Sequence, residues 1–374
     1  MNRDFSQVQR VVVKVGTNLL STAEGIDEHC IEDIVSQIAI LMGKGIQVLL
    51  VSSGAIGMGA KELHLKDAVK QVAMRQACAS IGQPILMSSY RKAFKHHGIV
   101  CSQILLTRKD MNNRHTYVNL RNSVMTLLDL GVVPVFNEND VVSTAEIGSA
   151  FGDNDRMSAM VASKIDADLL IILTDIPGVY TADPKKDPKA TLLGEIEMLD
   201  EQIFSYAGGA GSTFSTGGMK TKLLAAKIAA VGGCGSIIAS GYEKNSLVRL
   251  LEGEPLGSYI HPLQRISQRA RWILNNSHLG SVTVDDGAKK ALYDHKSLLP
   301  KGIVKVSGVF GQGDVIQVCS EDGKPFAKAV PYYNSTDIAL LAGHKSKDIE
   351  EILGSGKKDV IFRPEDLVFL DNVE

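Results

Sequence analysis

Cysteine is scarce and widely spaced in this sequence. The 374 residues include five cysteines, at positions 30, 78, 101, 234 and 319, and no two of them are closer than 23 residues along the chain. The sequence contains no Cys-x-x-Cys pair and no cysteine–histidine cluster. This spacing argues against a structural zinc site and a dense disulfide framework, and it predicts reduced, mostly buried thiols.

An excess of one charge and a long hydrophobic run are also missing. Forty lysines and arginines stand against 42 aspartates and glutamates, and this balance argues against a broadly basic nucleic-acid-binding protein. The longest uncharged stretch, residues 202–219, is rich in glycine, serine and threonine, so it would not span a bilayer. No secretory hydrophobic segment precedes the first strand-like run, and we therefore predict a cytoplasmic protein with no membrane partner.

Short apolar runs alternate with helix-period segments in the first two-thirds of the chain. Asp27 is a plausible N-cap for one such helix, and Leu223, Leu224, Ile228 and Val231 form the apolar stripe of another. The apolar runs are continuous rather than alternating, as in strands buried on both faces of a parallel sheet. They are residues 11–15, 48–51, 104–106, 132–136, 169–173 and 237–239. This order predicts an α/β fold with helices on both faces of a mostly parallel sheet.

The pattern changes after about residue 262. We predict a first domain over residues 1–262, a linker or helix over 263–279, a small β-rich domain over 280–365 and a C-terminal tail over 366–374. The β-rich domain is indicated by short alternating segments that are separated by glycine and aspartate turns. These segments are residues 281–284, 303–306 and 315–318.

Glycine, small hydroxyl residues or acidic residues follow each of the longer apolar runs. In an open α/β sheet, ligands bind beyond the carboxyl ends of the strands, where exposed backbone amides and helix N-termini favour anions. Several such turns on one edge predict a phosphate-binding cleft. Each polar residue also has an ordinary structural explanation, because Lys14 could extend from a sheet edge and the aspartates could be turn or N-cap residues.

Two common nucleotide-binding patterns are absent. The sequence has no G-x-x-x-x-G-K-[ST] motif, and Gly54, Gly57 and Gly59 follow G-x-x-G-x-G order rather than the dinucleotide pattern G-x-G-x-x-G. A dehydrogenase is therefore a weak alternative.

Six short motifs occur in order along the chain and together resemble the amino-acid kinase family. They are residues 13–17 (VKVGT), 52–56 (SSGAI), 137–140 (NEND), 151–155 (FGDND), 173–184 (LTDIPGVYTADP) and 216–222 (TGGMKTK). The resemblance covers residues 10 to about 262 and is strongest to the members that phosphorylate glutamate, while the last domain resembles a PUA domain. It implies a three-layer αβα sandwich around the sheet.

The resemblance also implies roles for individual residues. Lys14 and Lys222 match lysines that hold the ATP phosphates, and Asp155 matches the acid that orients them. Four residues match the glutamate-binding positions, namely Ser53, Gly54, Asp140 and Asn154. The nucleotide-binding positions are matched by Lys14, Gly16, Thr174, Asp175, Thr216, Gly217, Gly218, Met219, Lys220, Thr221 and Lys222. No individual role is implied for Lys220, whose position varies in the family, or for Arg121, whose segment departs from the family pattern.

The implied acceptor needs no general base. A γ-carboxylate with a pKa near about 4.3 is already ionised at pH 7, and none of the nine histidines lies in these motifs. Catalysis then depends on positioning and charge neutralisation by the two lysines, the amides of Gly16 and Gly54, and Mg²⁺ carried mainly by the ATP phosphates.

The resemblance further implies several partners. It places the reaction, which yields L-glutamyl 5-phosphate, at the first step of proline biosynthesis. It implies L-proline as a feedback inhibitor, a downstream glutamyl-phosphate reductase and a homo-oligomer.

Other functions share parts of this pattern. Acetylglutamate, aspartate, carbamate and uridylate kinases use the same phosphate machinery, and the fold does not separate them. An RNA-binding protein with a nucleotide-sensing domain is a weaker alternative, because residues 263–374 carry fifteen basic and fifteen acidic residues and so no net charge.

Overall fold

The computed structural model describes residues 3–22, 25–65, 67, 69–142, 153–184, 186–207, 218–263 and 268–370. Contacts divide the chain into two compact units, Met1–Arg265 and Ile266–Glu374.

The first unit alternates strands with helices. Its strands are β1 (Arg10–Val15), β2 (Gln47–Val51), β3 (Cys101–Leu106), β4 (Val133–Glu138), β5 (Leu169–Thr174), β6 (Glu195–Ile196), β7 (Gly235–Ser240) and β8 (Ser258–Ile260). Its helices are α1 (Thr17–Leu20), α2 (Glu28–Gly43), α3 (Ala55–Glu62), α4 (Val72–His96), α5 (Arg108–Asn112), α6 (Arg114–Asp129), α7 (Asp153–Lys164), α8 (Glu201–Tyr206), α9 (Met219–Val231) and α10 (Ser246–Leu251).

The eight strands form one sheet in the order β3-β4-β2-β1-β5-β7-β8-β6. Neighbouring strands in this order pair in parallel, except for β7 and β8, which pair antiparallel. All six predicted strands are present, and the prediction of an α/β fold with a mostly parallel sheet is confirmed.

Helices cover both faces of this sheet. Val11, Val13 and Val15 of β1 pack on one face with helices α2, α4 and α10, whereas Val12 packs on the other face with α6, α7 and α9. Consecutive strand residues point to opposite faces, so the valines of β1 supply both layers of the core. The result is a three-layer αβα arrangement.

Two predicted helices match the structure closely. Asp27 accepts a hydrogen bond from the backbone N–H of Cys30 at 2.9 Å and so caps α2, as its position predicts. The predicted helix with Leu223 is α9, which ends just before Gly232, but Leu224 of the predicted apolar stripe is exposed. The 25-residue helix α4 was not apparent from the sequence, because Pro84 lies inside it and its buried face includes Gly82 and a polar glutamine.

Lys164 is a buried lysine at the C-terminal end of α7. The side chain lies with its Nζ 4.7 Å from the centroid of the Tyr117 ring, and only 5% of the residue is exposed. Burial lowers the pKa of Lys164 to about 8. The folded protein therefore holds this proton less tightly than the unfolded chain does.

Replacing Lys164 by methionine is expected to stabilise the protein at pH 7 by about 1–3 kcal/mol, because methionine fills the space without a desolvated charge. Below pH 8 both states are protonated and the wild type bears the full cost of burying the charge. That cost declines as the folded state loses the proton above pH 8, and it disappears above the unfolded pKa near 10.5. Urea unfolding at pH 7 and pH 10 measures this difference, and a variant less stable than the wild type at pH 7 would contradict the prediction.

The second unit has its own sheet. Its strands are β9 (Gly280–Val284), β10 (Ile303–Gly308), β11 (Ile316–Cys319), β12 (Pro325–Ala329) and β13 (Leu367–Phe369), in the order β10-β9-β11-β12-β13. Its helices are α11 (Gln268–Asn275), α12 (Asp286–Tyr293), α13 (Ser335–Leu341) and α14 (Ile349–Leu353), with single 3-10 turns at Pro300–Gly302, Ser346–Asp348 and Pro364–Asp366. The three β segments expected from the sequence correspond to β9, β10 and β11.

The chain beyond residue 365 departs from the sequence expectation. We predict a tail over 366–374, whereas Leu367–Phe369 form β13 and pair antiparallel with β12. The ring of Phe369 stacks on that of Tyr293, with centroids 4.4 Å apart. A three-residue strand carries too little pattern to be recognised, and only its packing partners reveal it.

All five cysteines lie in the described part of the chain, and none of them forms a disulfide. Within the same residues, no helix combines the length and apolar character needed to cross a membrane.

Candidate active site

The candidate site lies at the edge of the sheet where the central parallel strands end. Strand β1 leads into Gly16, β2 into Ser52 and Ser53, and β5 ends at Thr174. Because these strands are parallel, their carboxyl ends share one edge. Helices α7 and α9 begin at the same edge, as the contacts of their first turns show.

Two lysines and one aspartate from three chain segments meet there. Lys14 Nζ lies 2.6 Å from Asp155 Oδ1, and Lys222 Nζ lies 3.6 Å from Asp155 Oδ2. The Thr221 hydroxyl donates to Asp155 Oδ2 at 2.8 Å. All three charged residues are buried, with exposed fractions of 6% for Lys14, 1% for Asp155 and 5% for Lys222. The structure thus brings together the three residues predicted to be catalytic.

The electrostatics of this group follow from its burial. Burial alone would raise the pKa of Asp155, but the charges of Lys14 and Lys222 outweigh it and lower that pKa below its usual value. Burial, with Lys14 as a nearby cation, lowers the pKa of Lys222, although Asp155 acts in the opposite direction. Two ammonium groups and one carboxylate leave a net charge of +1 in a water-poor place, and such a charge attracts an anion strongly.

A cluster of amides and hydroxyls adjoins the charged group. The Asn154 amide donates to Ser53 Oγ at 2.9 Å, to the Ser52 carbonyl at 3.1 Å and to Asn137 Oδ1 at 3.0 Å. Asn154 and Asp155 are consecutive at the start of α7, so one helix turn serves both the polar cluster and the lysines. Ser53 and Asn154, predicted separately as substrate-binding residues, are in direct contact.

Glycines shape the helix that follows Ser53. Gly54 is the N-cap of α3 and adopts a φ of +107°, a conformation that L side chains rarely adopt. Helix α4 packs so closely on α3 that a Cβ on Gly82 would lie 1.8 Å from the Ala55 carbonyl oxygen. This contact fixes the first turn of α3 beside the polar cluster.

Hydrogen bonds connect the end of β5, where the predicted nucleotide-binding residues Thr174 and Asp175 lie, to the segment that follows β1. The exposed carboxylate of Asp175 accepts hydrogen bonds from Thr174 Oγ1 and from the Asn18 amide, each at 3.0 Å. Burial would raise the pKa of Asp175, but these hydrogen bonds outweigh it and lower that pKa. The Tyr242 hydroxyl donates to the Asn18 carbonyl at 3.2 Å and extends the contact to the end of β7.

The Gly16 amide is not available to an anion. Its N–H donates to the Leu173 carbonyl at 3.1 Å and so continues the pairing of β1 with β5. A Cβ on Gly16 would lie 3.3 Å from Leu173 O and 3.9 Å from Lys14 Nζ. The glycine therefore leaves room beside the lysine instead of donating a hydrogen bond, and the expectation that its amide neutralises charge is wrong.

The remaining predicted site residues are described only by their positions in the fold. Asp140 is partly buried just after β4, Gly218 is the N-cap of α9, and Met219 and Lys220 lie in its first turn with Lys220 exposed. Thr216 and Gly217 lie outside the described residues.

One contributor was missed by sequence reasoning. Asn137, inside the NEND motif, is 2% exposed and contacts Asn154. Thr221 was predicted as a nucleotide-binding position, but its contact with Asp155 was not. The motifs contained both residues, but their partners are more than fifteen residues away in the sequence.

The residues present are compatible with Mg²⁺ that arrives with a nucleotide. Among the described residues, no group of three or more histidine, cysteine, aspartate or glutamate side chains is placed to hold a metal ion. Magnesium usually needs only one or two protein carboxylates, because water and substrate phosphates complete its shell. The exposed Asp175 carboxylate fits that requirement.

Family models match both compact units of the chain. Residues 9–240 match the family model described as Amino acid kinase family, and residues 280–353 match the PUA domain. A solved structure of UMP kinase from Bacillus anthracis aligns with 69% of this chain and 97% of its own, at 17% identity and a TM-score of 0.49.

Curated relatives match along nearly the whole chain. A protein named glutamate 5-kinase from Syntrophotalea carbinolica is 42% identical over 98% of this chain and 99% of its own length. One of the same name from Methanosarcina acetivorans is 42% identical over 99% of this chain and 98% of its own. The chain therefore belongs to the amino acid kinase family, in the group of relatives named glutamate 5-kinase, and carries a PUA domain at residues 280–353.

Proposed function

We propose that this protein transfers the γ-phosphoryl group of ATP to the γ-carboxylate of L-glutamate. The products are ADP and L-glutamyl 5-phosphate, and the reaction is the first step of proline biosynthesis. The observation that carries the proposal is the buried group of Lys14, Asp155 and Lys222 next to the Asn154–Ser53 cluster. The names of the full-length relatives give the same substrate.

The two lysines suit the principal difficulty of this reaction, which is electrostatic. A carboxylate must approach a triphosphate, and both are anions at pH 7. Lys14 and Lys222 come from opposite parts of the chain, so they can contact different phosphate oxygens while Asp155 holds both ammonium groups in place. Charge neutralisation and positioning of this kind account for most catalysis of phosphoryl transfer.

No residue has to remove a proton. An oxygen of the ionised carboxylate forms the new P–O bond while the bond from phosphorus to the ADP oxygen breaks. Asn154 and Ser53 would bind the amino acid, and Asp140, a carboxylate just after β4, would attract its α-ammonium group. Asp175 would hold Mg²⁺ at the nucleotide, where the metal supplies further positive charge to the phosphates.

An ATP-dependent hydroxamate assay tests the proposed reaction. Hydroxylamine traps an acyl phosphate as a coloured hydroxamate, so L-glutamate, N-acetylglutamate and aspartate can be compared in parallel with Mg²⁺ and ATP. We expect a signal with L-glutamate that depends on ATP and is at least about tenfold stronger than with the other two, since N-acetylglutamate lacks the ammonium group that the site would pair and aspartate is shorter by one methylene.

Other outcomes would redirect the proposal. A signal with N-acetylglutamate or aspartate alone would change the substrate, and silence with all three in a protein that binds ATP would exclude a carboxylate acceptor.

Adding L-proline to the active reaction tests feedback inhibition, because an inhibitor at the glutamate site raises the apparent KM for glutamate.

A further inference from the structure

A chain of buried amides extends from the Asn154 cluster to helix α4. Asn137 donates through Nδ2 to Gln83 Oε1 at 2.7 Å, and Gln83 donates through Nε2 to Gln103 Oε1 at 3.3 Å. Gln83 is 8% exposed and Asn137 2%. Hydrogen bonds therefore connect α7, β4, α4 and β3 in series.

The direction of this chain is fixed by two backbone groups. The Ser52 carbonyl can only accept, so the Asn154 atom 3.1 Å from it must be the amide nitrogen. The Glu138 N–H can only donate, so the Asn137 atom 2.9 Å from it must be the oxygen. The Asn137 nitrogen must then donate to Gln83, and the Gln83 oxygen must accept that hydrogen bond.

This direction leaves one side-chain acceptor without a hydrogen-bond partner among the described residues. The nitrogen of Asn154 has three acceptors, whereas its Oδ1 is a buried atom with no hydrogen-bond partner among the described residues. An oxygen in that condition favours a ligand that brings a donor. The α-ammonium group of an amino acid is such a donor.

We propose that Gln83 is a positioning residue of the amino-acid site, which it orients through Asn137 without touching the substrate. The inference rests on the proposed function. Without the Gln83 oxygen, the Asn137 nitrogen would lose its acceptor inside the protein. Turning the Asn137 amide over would not help, because its nitrogen would then face the Glu138 N–H and the Asn154 nitrogen. Either arrangement weakens the hydrogen bond between Asn154 and Asn137.

Helix α4 is well placed for this role. Gly82, next to Gln83, lies against the first turn of α3, and Tyr90, two turns further on, hydrogen-bonds through its hydroxyl to Ser52 Oγ at 3.0 Å. One face of α4 therefore contacts both the Ser52 segment and the Asn137 amide. Helix α4 thereby supports the polar cluster around Asn154.

Gln83→Met and Gln83→Glu separate positioning from simple packing. Methionine keeps the volume and removes the hydrogen bonds, so we expect the KM and the calorimetric Kd for L-glutamate to rise about tenfold, with the KM for ATP within about twofold, as for the loss of one hydrogen bond to a charged ligand. Gln83→Glu keeps an oxygen that accepts from Asn137 whether its carboxyl group is neutral or ionised. This variant should therefore restore the wild-type KM and Kd for L-glutamate.

Gln71→Met is the matched control, because Gln71 begins the same helix, is exposed and makes no side-chain capping bond. A merely structural role of Gln83 would lower thermal stability and kcat in both Gln83 variants without the selective change in glutamate affinity. An unchanged glutamate Kd in Gln83→Met, an equal rise for ATP, or no recovery in Gln83→Glu would overturn the inference. Should Gln83→Met not fold, the shorter Gln83→Asn must show the same selective loss.

The binding measurement distinguishes this inference from the proposed function. Glutamate binding that weakens in Gln83→Met, in a protein without turnover, would support the role of Gln83 and overturn the kinase proposal. If the wild type turns over glutamate and Gln83→Met binds glutamate as tightly as the wild type does, the kinase proposal would be supported and the role of Gln83 overturned. A wild type that binds no glutamate would overturn both.

Discussion

Replacing Lys222 by alanine is expected to lower kcat by about 10²–10³-fold or more, while the chain remains folded, by analogy with removal of one properly placed transition-state donor. Lys222 belongs to α9, which packs through Leu223, Ala226 and other apolar residues, so the helix does not depend on the ammonium group. Its Nζ lies 3.6 Å from Asp155 and supplies half of the positive charge at the site. The hydroxamate assay at saturating ATP and glutamate measures the loss.

Lys227→Ala provides the control for that variant. Lys227 lies five residues further along the same helix, is only partly buried and forms no ion pair with the described residues. Removing its charge alters α9 equally in composition and helix propensity, and we expect activity within about twofold of the wild type, as for surface substitutions away from a site. Near-normal turnover by Lys222→Ala would remove Lys222 from the catalytic residues.

The sheet was predictable because its pattern is local. The run Val11–Val15 has no polar residue except Lys14, and only a strand covered on both faces buries such a run. Parallel strands share a carboxyl edge, so the same reasoning placed Lys14 close to that edge. The position of Lys14 therefore followed from elementary geometry, whereas its role came from family resemblance.

The internal contacts of the site were beyond sequence reasoning. Asp155 is 141 residues from Lys14 and 67 from Lys222, and only the packing of α7 and α9 against the sheet brings the three together. Gln83 and Asn137 are 54 residues apart, and neither residue type is unusual in its own segment. Side-chain amides form specific pairs only once tertiary structure has placed them.

The Gly16 amide illustrates a different limit. A glycine after a strand signals a turn with available N–H groups, and that inference is sound for turns in general. Here β5 is long enough to pair with Gly16, so its carbonyl at Leu173 takes the hydrogen bond. Strand boundaries are among the least predictable features of a sequence, so this pairing could not be foreseen.

Replacing Asp155 by asparagine is expected to reduce both stability and activity. The change leaves Lys14 and Lys222 buried without their shared anion, and breaking a buried ion pair by removing one partner costs about 3–5 kcal/mol. Repulsion between the two ammonium groups, no longer offset by the carboxylate, then moves them out of position for the phosphates. We expect kcat to fall at least about 10²-fold, and urea unfolding of both proteins at pH 7 measures the loss of stability.

The pH dependence gives this prediction a second, independent check. Because the lysines lower the pKa of Asp155 in the folded state, the ionised carboxylate contributes stability that is fully present above its unfolded pKa of about 3.9. That contribution declines as the pH falls through the lower folded pKa, so the stability difference between wild type and Asp155→Asn should be constant from pH 7 to about pH 5 and shrink below about pH 4. Asp129→Asn, an exposed aspartate at the end of α6, controls for the loss of a carboxylate alone. A stability difference that grows as the pH falls would mean that the carboxylate is not held ionised by the lysines, and equal stability at pH 7 would show that they need no common anion.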